Sequence, residues 1–168
     1  MKRTLIKYQC LTALAWAVCL GSFNAVDGVA FANDSAGLGS FVSPHFHPIA
    51  KRGDHVFVAN TPNNTLDVIH AKSLKKVKEI TVGIDPVSVA IRPDGLEIWV
   101  SNHISDSISV IDNDPNSLTY WNVIATIQAF DDKLATSFDE PVGIAFASND
   151  KAYVALSSEN QIAVIDVR

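Results

Sequence analysis

Cysteine, helical periodicity and clustered positive charge are scarce in this chain, and each absence argues against a class of protein. The 168 residues contain two cysteines, Cys10 and Cys19, both in the apolar N-terminal stretch. The chain beyond that stretch therefore has no disulfide and no thiol nucleophile, and its stability has to come from packing. Apolar residues do not recur with a 3.6-residue period over a helical length, which argues against helices.

The net charge of −5 argues against partners that need a basic surface. Nucleic acid and anionic membranes are bound by dense patches of lysine and arginine, which this chain lacks. Its one basic run, with four lysines between Lys72 and Lys78, is typical of a solvated hairpin and of an edge strand protected against pairing.

Motifs that carry enzymatic chemistry are also missing. The sequence has no Gly-x-Ser-x-Gly nucleophile turn, no His-Glu-x-x-His metal pair and no glycine-rich phosphate loop. The segment Asp112–Asn116 resembles a calcium loop but lacks the central glycine and the distant glutamate, so we interpret it as a polar hairpin tip. We predict no catalytic residue and no cofactor from these patterns.

The first 32 residues predict a secretory signal peptide. A basic start at Met1–Lys7 precedes an uncharged apolar run from Cys10 to Leu20, and cleavage is expected after Ala32. The run is too short for a membrane helix, which needs roughly 20 residues. A retained anchor is therefore a less favoured alternative. A lipoprotein centred on Cys19 is less favoured still, because Trp16-Ala17-Val18 before it makes a poor lipobox. Residues 33–43 form a lead-in rich in small residues, predicted to be flexible.

Three later stretches align with one another as a repeat. Residues 56–60 match 98–102 and then 152–156, and each is followed by a second apolar stretch ending in Val-Ile. The first two copies are offset by 42 residues throughout, so that Pro44 falls on Pro86. A period near 40 residues with several short strands per period is the signature of a β-propeller.

The repeat predicts an all-β chain, a partial propeller of four-stranded antiparallel blades over residues 44–168. Blade 1 is expected at about 44–83 and blade 2 at about 84–128, while blade 3, at about 139–168, lacks its outer strand. The offset from copy two to copy three is 54. We assign about two surplus residues to the hairpin around Asn113–Asn116 and about eleven to the crossover before Pro141, less one residue lost in the turn before Lys151.

Loops alternate between the two ends of an up-and-down blade. The loops between second and third strands are therefore expected on the same face as the crossovers to the next blade. This loop face is the predicted binding surface, and the long acidic crossover is its candidate specificity element. The candidate binding residues are His45, Asn60, Asn102, His103, Phe130, Asp131, Asp132 and Phe138.

The histidines raise the question of a metal site. His45 and His47 are expected on one face of the first strand, in place of Val87 and Val89 of copy two, and His103 on the same loop face. Three converging imidazoles could hold zinc or copper. We favour the alternative that His47 faces the core while His45 and His103 are solvated.

At these residues the chain resembles the YVTN β-propeller repeat family. The signature Tyr-Val-Thr-Asn is represented by residues 57–60, 99–102 and 153–156. The resemblance implies the propeller fold, an exported protein, and an asparagine that caps the turn after strand two by bonds to the backbone. Copy three departs by having Leu156 at the asparagine position. The repeat itself implies no catalytic residue.

The predicted third blade would leave Ile162–Val167 as an open apolar edge, so further blades or an oligomer are needed to close the ring. We expect the chain to begin a longer protein, with an oligomer as the less favoured alternative. The predicted function is binding or structural scaffolding by an exported module, periplasmic or on the cell surface, with a protein or glycan as the expected partner. The second hypothesis is the propeller portion of an exported oxidoreductase whose redox cofactor lies elsewhere.

Overall fold

The computed structural model describes residues 45–130, 136–158 and 160–167, which belong to one compact unit. The predicted signal peptide and lead-in lie outside the described residues. Within them, no helix is long and apolar enough to cross a membrane.

In the part of the chain that the structure describes, eleven strands form three separate antiparallel sheets, as the repeat predicted. The first sheet is β1 (Ile49–Arg52), β2 (His55–Asn60), β3 (Thr65–His70) and β4 (Lys76–Thr81). The second is β5 (Pro86–Ile91), β6 (Glu97–Asn102), β7 (Ser107–Asp112) and β8 (Val123–Ile127). The third is β9 (Pro141–Ser148), β10 (Lys151–Leu156) and β11 (Gln161–Asp166). Each sheet is a blade with its strands in chain order, and the fold is an incomplete β-propeller.

Alternating side chains give each blade two faces, which pack against different neighbours. We call the face toward the next blade the forward face and the opposite one the backward face. Two apolar clusters hold the blades together, each joining the forward face of one blade to the backward face of the next. The first joins Phe57, Leu66 and Val68 to Ile98, Val100 and Ile111, and the second joins Trp99, Ile108 and Val110 to Ala152 and Val154.

The first strand of blade 1 is not where the alignment put it. Ile49, not His47, lies opposite Val58, although Val89 lies opposite Val100 in blade 2. The two-residue turn Gly53–Asp54, with Gly53 at φ 56°, replaces the longer turn of blade 2 and shifts the register. Phe46 and His47 instead follow the inner edge of β5, where the Val89 N–H donates to the His47 carbonyl at 2.8 Å.

The hairpin of blade 2 holds more of the surplus residues than predicted. Residues 113–122 connect β7 to β8, whereas residues 71–75 connect β3 to β4. The connection is long because it folds back through Trp121, whose ring packs against His55 of blade 1 at a centroid distance of 5.0 Å.

Asp112 anchors this hairpin. Its carboxylate accepts hydrogen bonds from the Thr119 hydroxyl at 2.6 Å and from the Asp114 N–H at 2.9 Å. Burial acts to raise the pKa of Asp112, but bonds from Ser117, Thr119 and the Asp114 backbone outweigh it and hold that pKa below its ordinary value. The interpretation of the segment as a polar hairpin tip is confirmed.

Candidate functional site

The second-to-third-strand loops and the crossovers do share one face, because they are hydrogen-bonded to one another. The Asp85 N–H donates to Asn64 Oδ1 at 2.9 Å, and at the matching place one blade later the Glu140 N–H donates to Asp106 Oδ1 at 3.0 Å. All four residues have positive φ values, between 48° and 62°. Asparagine and aspartate tolerate this left-handed region better than most residues, so the same linkage is built twice.

His103 lies where two blades meet on this face. Its Nδ1 is 3.5 Å from Asp85 Oδ2, and its Nε2 is 3.8 Å from Glu140 Oε2 and 3.5 Å from the Ser157 hydroxyl. Only 13% of the His103 side chain is exposed. The expectation of a solvated loop histidine is therefore wrong, because the carboxylates of both crossovers enclose the ring.

The two carboxylates occupy equivalent positions but differ in environment. Asp85 is 7% exposed, and its Oδ2 makes no hydrogen bond of normal geometry within the described residues. Glu140 is more open and accepts a hydrogen bond from the Ser157 hydroxyl at 3.0 Å. The cluster of Asp85, His103, Glu140 and Ser157, called here the His103 cluster, thus has one closed carboxylate and one accessible carboxylate.

The three candidate metal-binding histidines do not form a ligand group. His45 is exposed and its Nε2 lies 2.6 Å from the Thr61 hydroxyl, while His47 is exposed beside β5. The expected core position of His47 is therefore also wrong, since the register shift places Ile49, which is itself 60% exposed, opposite Val58 in its stead. No group of three metal-ligating side chains occurs among the described residues. The Nδ1 atom of His103 faces Asp85 and its Nε2 atom faces Glu140. One metal ion therefore cannot be bound by the His103 ring together with both carboxylates.

Asn60 and Asn102 are structural rather than exposed binding residues. Asn102 is fully buried and donates from Nδ2 to the hydroxyls of Ser107 at 3.1 Å and Ser109 at 3.0 Å. Asn60 donates to the Asp67 carboxylate at 3.2 Å. Both brace the loop through side chains of the third strand, not through backbone bonds as predicted.

Blade 3 replaces this polar brace with an apolar one. Leu156, at the asparagine position, is buried, and the partly buried Ala163 packs in the same cluster. The turn is also held by the backbone, since the Ser157 N–H donates to the Glu140 carbonyl at 3.0 Å. The departure from the repeat signature is therefore compensated within the same blade.

The long crossover divides into a buried and an exposed part. Phe138 is 3% exposed and packs in the cluster between blades 2 and 3, so its assignment to the binding surface is wrong. Phe130 is exposed and pairs by an isolated bridge with Thr136. Asp131 and Asp132 lie outside the described residues.

Sequence reasoning missed three members of the His103 cluster: Asp85, Glu140 and Ser157. A signal for the first two was present, because each acidic residue directly precedes the proline that opens a blade, at Asp85-Pro86 and Glu140-Pro141. Ser157 stands at the repeat position of His103, directly after the second strand. The repeat alignment could therefore have identified all three.

Comparison with known proteins supports the propeller fold. No protein-family model matches the chain, and no curated protein has a significant sequence match to it. Among solved structures it is similar to hydrazine synthase of Kuenenia stuttgartiensis, with 26% identity and a TM-score of 0.56, over 82% of this chain and 36% of that chain.

Two further similarities rest on the fold alone. A putative 6-phosphogluconolactonase from Bacteroides uniformis has 16% identity and a TM-score of 0.59, over 84% of this chain and 41% of that one. The β-propeller domain of Myceliophteria thermophila Cps50 (Swd1) has 13% identity and a TM-score of 0.54, over 71% and 37%. The chain spans less than half the length of each of these three structures.

Proposed function

We propose that the chain is an exported β-propeller module, periplasmic or on the cell surface, that binds a protein or glycan partner through its loop face. Further blades, from the same protein or a second copy, complete its ring. The resemblance of its repeats to an exported propeller family supports the first part. The His103 cluster supports the second, because it holds polar groups of two blades in fixed positions.

The observation that carries the binding proposal is the contrast between the two carboxylates of the cluster. Asp85 is enclosed, and its carbonyl accepts a hydrogen bond from the His103 N–H at 2.9 Å, whereas the more open Glu140 can exchange its contacts for those of a partner. A hydrogen bond to a charged group contributes about 1.5–3 kcal/mol, so loss of the Glu140 charge should weaken binding at least about tenfold.

The binding test uses defined probes. The labelled chain is applied to an array of bacterial surface glycans and to purified surface proteins, and dissociation constants are measured for whatever binds. Glu140→Gln is expected to weaken binding at least about tenfold, while the control Lys78→Gln, on the outer strand of blade 1, leaves it unchanged. Equal affinities for Glu140→Gln and the parent chain would contradict the proposal.

The export proposal has its own test. When the full chain is produced in a bacterial host, the protein outside the cytoplasm is expected to begin at Asn33, as shown by N-terminal sequencing. Recovery of the uncleaved chain from the cytoplasm alone would contradict export but leave the loop-face measurement valid.

A second candidate function is the propeller portion of an exported oxidoreductase whose redox cofactor is carried outside the described blades. The similarity to hydrazine synthase over 82% of this chain favours it. The protein purified from its native host is then expected to show a visible absorption band from a redox group. A colourless protein with no bound metal or organic cofactor would contradict this alternative.

A further inference from the structure

The Asp85 carboxylate is buried, and one of its oxygens lacks a hydrogen bond. Asp85 is 7% exposed, and its Oδ2 has no partner of normal hydrogen-bond geometry within the described residues. His103 Nδ1 lies 3.5 Å from this oxygen. A buried carboxylate oxygen without a donor is uncommon in folded proteins and needs a physical explanation. The position of His103 supplies one, because a small movement of an Nδ1–H group toward Oδ2 makes the missing bond.

The other ring nitrogen of His103 faces a hydroxyl. Nε2 lies 3.5 Å from Ser157 Oγ, and Ser157 is exposed at the start of the β10–β11 connection. Asp85, His103 and Ser157 thus stand in the order carboxylate, imidazole, hydroxyl. This order of groups activates a serine for attack on a carbonyl carbon, and it is recognised by geometry and not by sequence position. Its hydrogen bonds are often long until a substrate binds.

Glu140 competes for the proton of the Ser157 hydroxyl. Ser157 Oγ lies 3.0 Å from Glu140 Oε2 and 3.1 Å from the Glu140 carbonyl oxygen. A hydroxyl has one proton and rotates about its C–O bond, so the proton can turn from Glu140 to His103 Nε2. Because an imidazole is a stronger base than a carboxylate, transfer of the proton to the ring is favoured.

The backbone holds the imidazole and the hydroxyl side by side. The His103 N–H donates to the Asp85 carbonyl at 2.9 Å, and one blade later the Ser157 N–H donates to the Glu140 carbonyl at 3.0 Å. The same hydrogen bond therefore ties each loop to the crossover of its own blade. All of these groups belong to blades 2 and 3, and the Ser157 hydroxyl turns back toward blade 2. The arrangement is thus formed by residues that the structure describes.

Beyond binding, we propose that Ser157 is a nucleophile toward carboxylic esters, with His103 as its base and Asp85 as the residue that positions His103. The Ser157 oxygen bonds to the ester carbonyl carbon while its proton passes to His103 Nε2. The bond from that carbon to the leaving oxygen breaks, and His103 gives the proton to the departing alkoxide. Water then attacks the acyl-serine and gives a proton to His103, which returns it to the Ser157 oxygen as the acid leaves.

The charge around the hydroxyl narrows the class of ester. Glu140 lies beside Ser157, and the Glu140 N–H donates to the Asp106 carboxylate at 3.0 Å. With Asp85, these residues place three carboxylates around the two reacting groups. An anionic ester is repelled by this field, so the expected substrate is a neutral or positively charged ester.

The first test labels the full chain with diisopropyl fluorophosphate, which reacts with activated serines. The Ser157 oxygen bonds to phosphorus, fluoride leaves, and the hydroxyl proton passes to His103. One label is expected on Ser157, located by peptide mass spectrometry, and none on Ser157→Ala. Ser158→Ala is the matched control, because Ser158 is the neighbouring exposed serine; it is expected to be labelled at the parent rate.

Variants of the other two residues test the activation. General-base catalysis contributes about 100-fold or more, so His103→Gln is expected to lower the labelling rate about 100-fold. Asp85→Asn keeps the shape of the side chain but removes its charge, and it is also expected to slow labelling. Asp85→Glu restores the charge and is expected to recover part of the rate, which a merely structural role would not produce. Circular dichroism and urea midpoints show whether each variant is folded.

Ester hydrolysis completes the test. The parent chain is expected to hydrolyse p-nitrophenyl acetate at least about ten times faster than Ser157→Ala, and faster than the anionic mono-p-nitrophenyl succinate. An unlabelled Ser157 in the parent chain overturns the proposal, and so does labelling of folded His103→Gln or of the urea-unfolded chain at the parent rate. Binding at the loop face is measured without these reagents, so a failure of labelling leaves the test of the proposed function valid.

Discussion

The buried amide of Asn102 offers a direct measure of how much the loop brace contributes to stability. Replacement by alanine removes the two hydrogen bonds to Ser107 and Ser109, each contributing about 1 kcal/mol. The packing of a fully buried side chain is lost as well. Asn102 Oδ1 makes no hydrogen bond within the described residues, which offsets part of this cost. We expect Asn102→Ala to lower the free energy of unfolding by about 2 to 3 kcal/mol.

Asn60 is the matched control, since it occupies the same repeat position. It is only partly buried and makes one side-chain hydrogen bond, of 3.2 Å, to Asp67. Asn60→Ala should therefore cost about 0.5 to 1 kcal/mol. Urea denaturation, followed by tryptophan fluorescence and by circular dichroism, measures both values. Equal losses for the two variants would refute the argument that burial decides the strength of the brace.

Blade 3 supplies a second control, because it contains the apolar solution to the same problem. The double variant Asn102→Leu with Ser109→Ala copies Leu156 and Ala163 into blade 2. Asn102→Leu alone leaves the Ser109 hydroxyl facing an apolar side chain, whereas Ser109→Ala alone removes the acceptor of the Asn102 amide and of the Gly83 N–H. We expect the double variant to lose less stability than the sum of the losses of the two single variants. Additive losses would show that the two positions are not coupled.

Three further predictions concern glycine, the core and acid stability. Gly83→Ala should destabilise the fold by about 1–3 kcal/mol, because its Cβ would lie 2.6 Å from Asn102 Cγ; an unchanged urea midpoint would contradict the close approach. Phe138→Ala should lower the free energy of unfolding by about 3–5 kcal/mol, because it truncates a core side chain. A loss below about 1 kcal/mol in the same assay would contradict the buried position of Phe138. Because the folded pKa of Asp112 is lowered, its stabilisation is present above about pH 4 and is lost as the pH falls through the folded pKa. Thr119→Val, which removes the 2.6 Å bond, should therefore make stability less dependent on pH between about 5 and 2, whereas parallel pH profiles would contradict the role of this bond.

The strands could be predicted from the sequence because period-two alternation and the turn residues recur in register. Val58, Val100 and Val154 occupy the same position of the repeat, and each of them lies in the second strand of its blade. A repeat is a strong constraint, since each copy tests the others. The fold class required no information beyond this register.

The first strand of blade 1 could not be predicted from the alignment, because the short turn after it shifts the pairing of β1 with β2 and leaves no mark in the apolar pattern of the flanking strands. Matching Pro44 to Pro86 implied that His47 would face the core. The tight turn at Gly53 moved Ile49 into the ladder instead. A two-residue shift preserves the alternation, so periodicity does not detect it.

The site was harder to predict than the fold because its members come from connections of unequal length. His103 was identified, but its burial depends on Glu140, which ends a crossover much longer than the one between blades 1 and 2. Phe138 was assigned to the surface for the same reason, since an inserted loop has no repeat position that would reveal its burial.

Blade 2 lies between two other blades, and this position should slow the exchange of its backbone amide protons with solvent. Every residue of β7 is buried, while β11 carries no fully buried residue among those whose burial is described. A series of sheets that contact only their neighbours loses structure from its ends, since an end blade has one interface to break and a middle blade has two. Hydrogen exchange should therefore be slowest in β6 and β7 and fastest in β11.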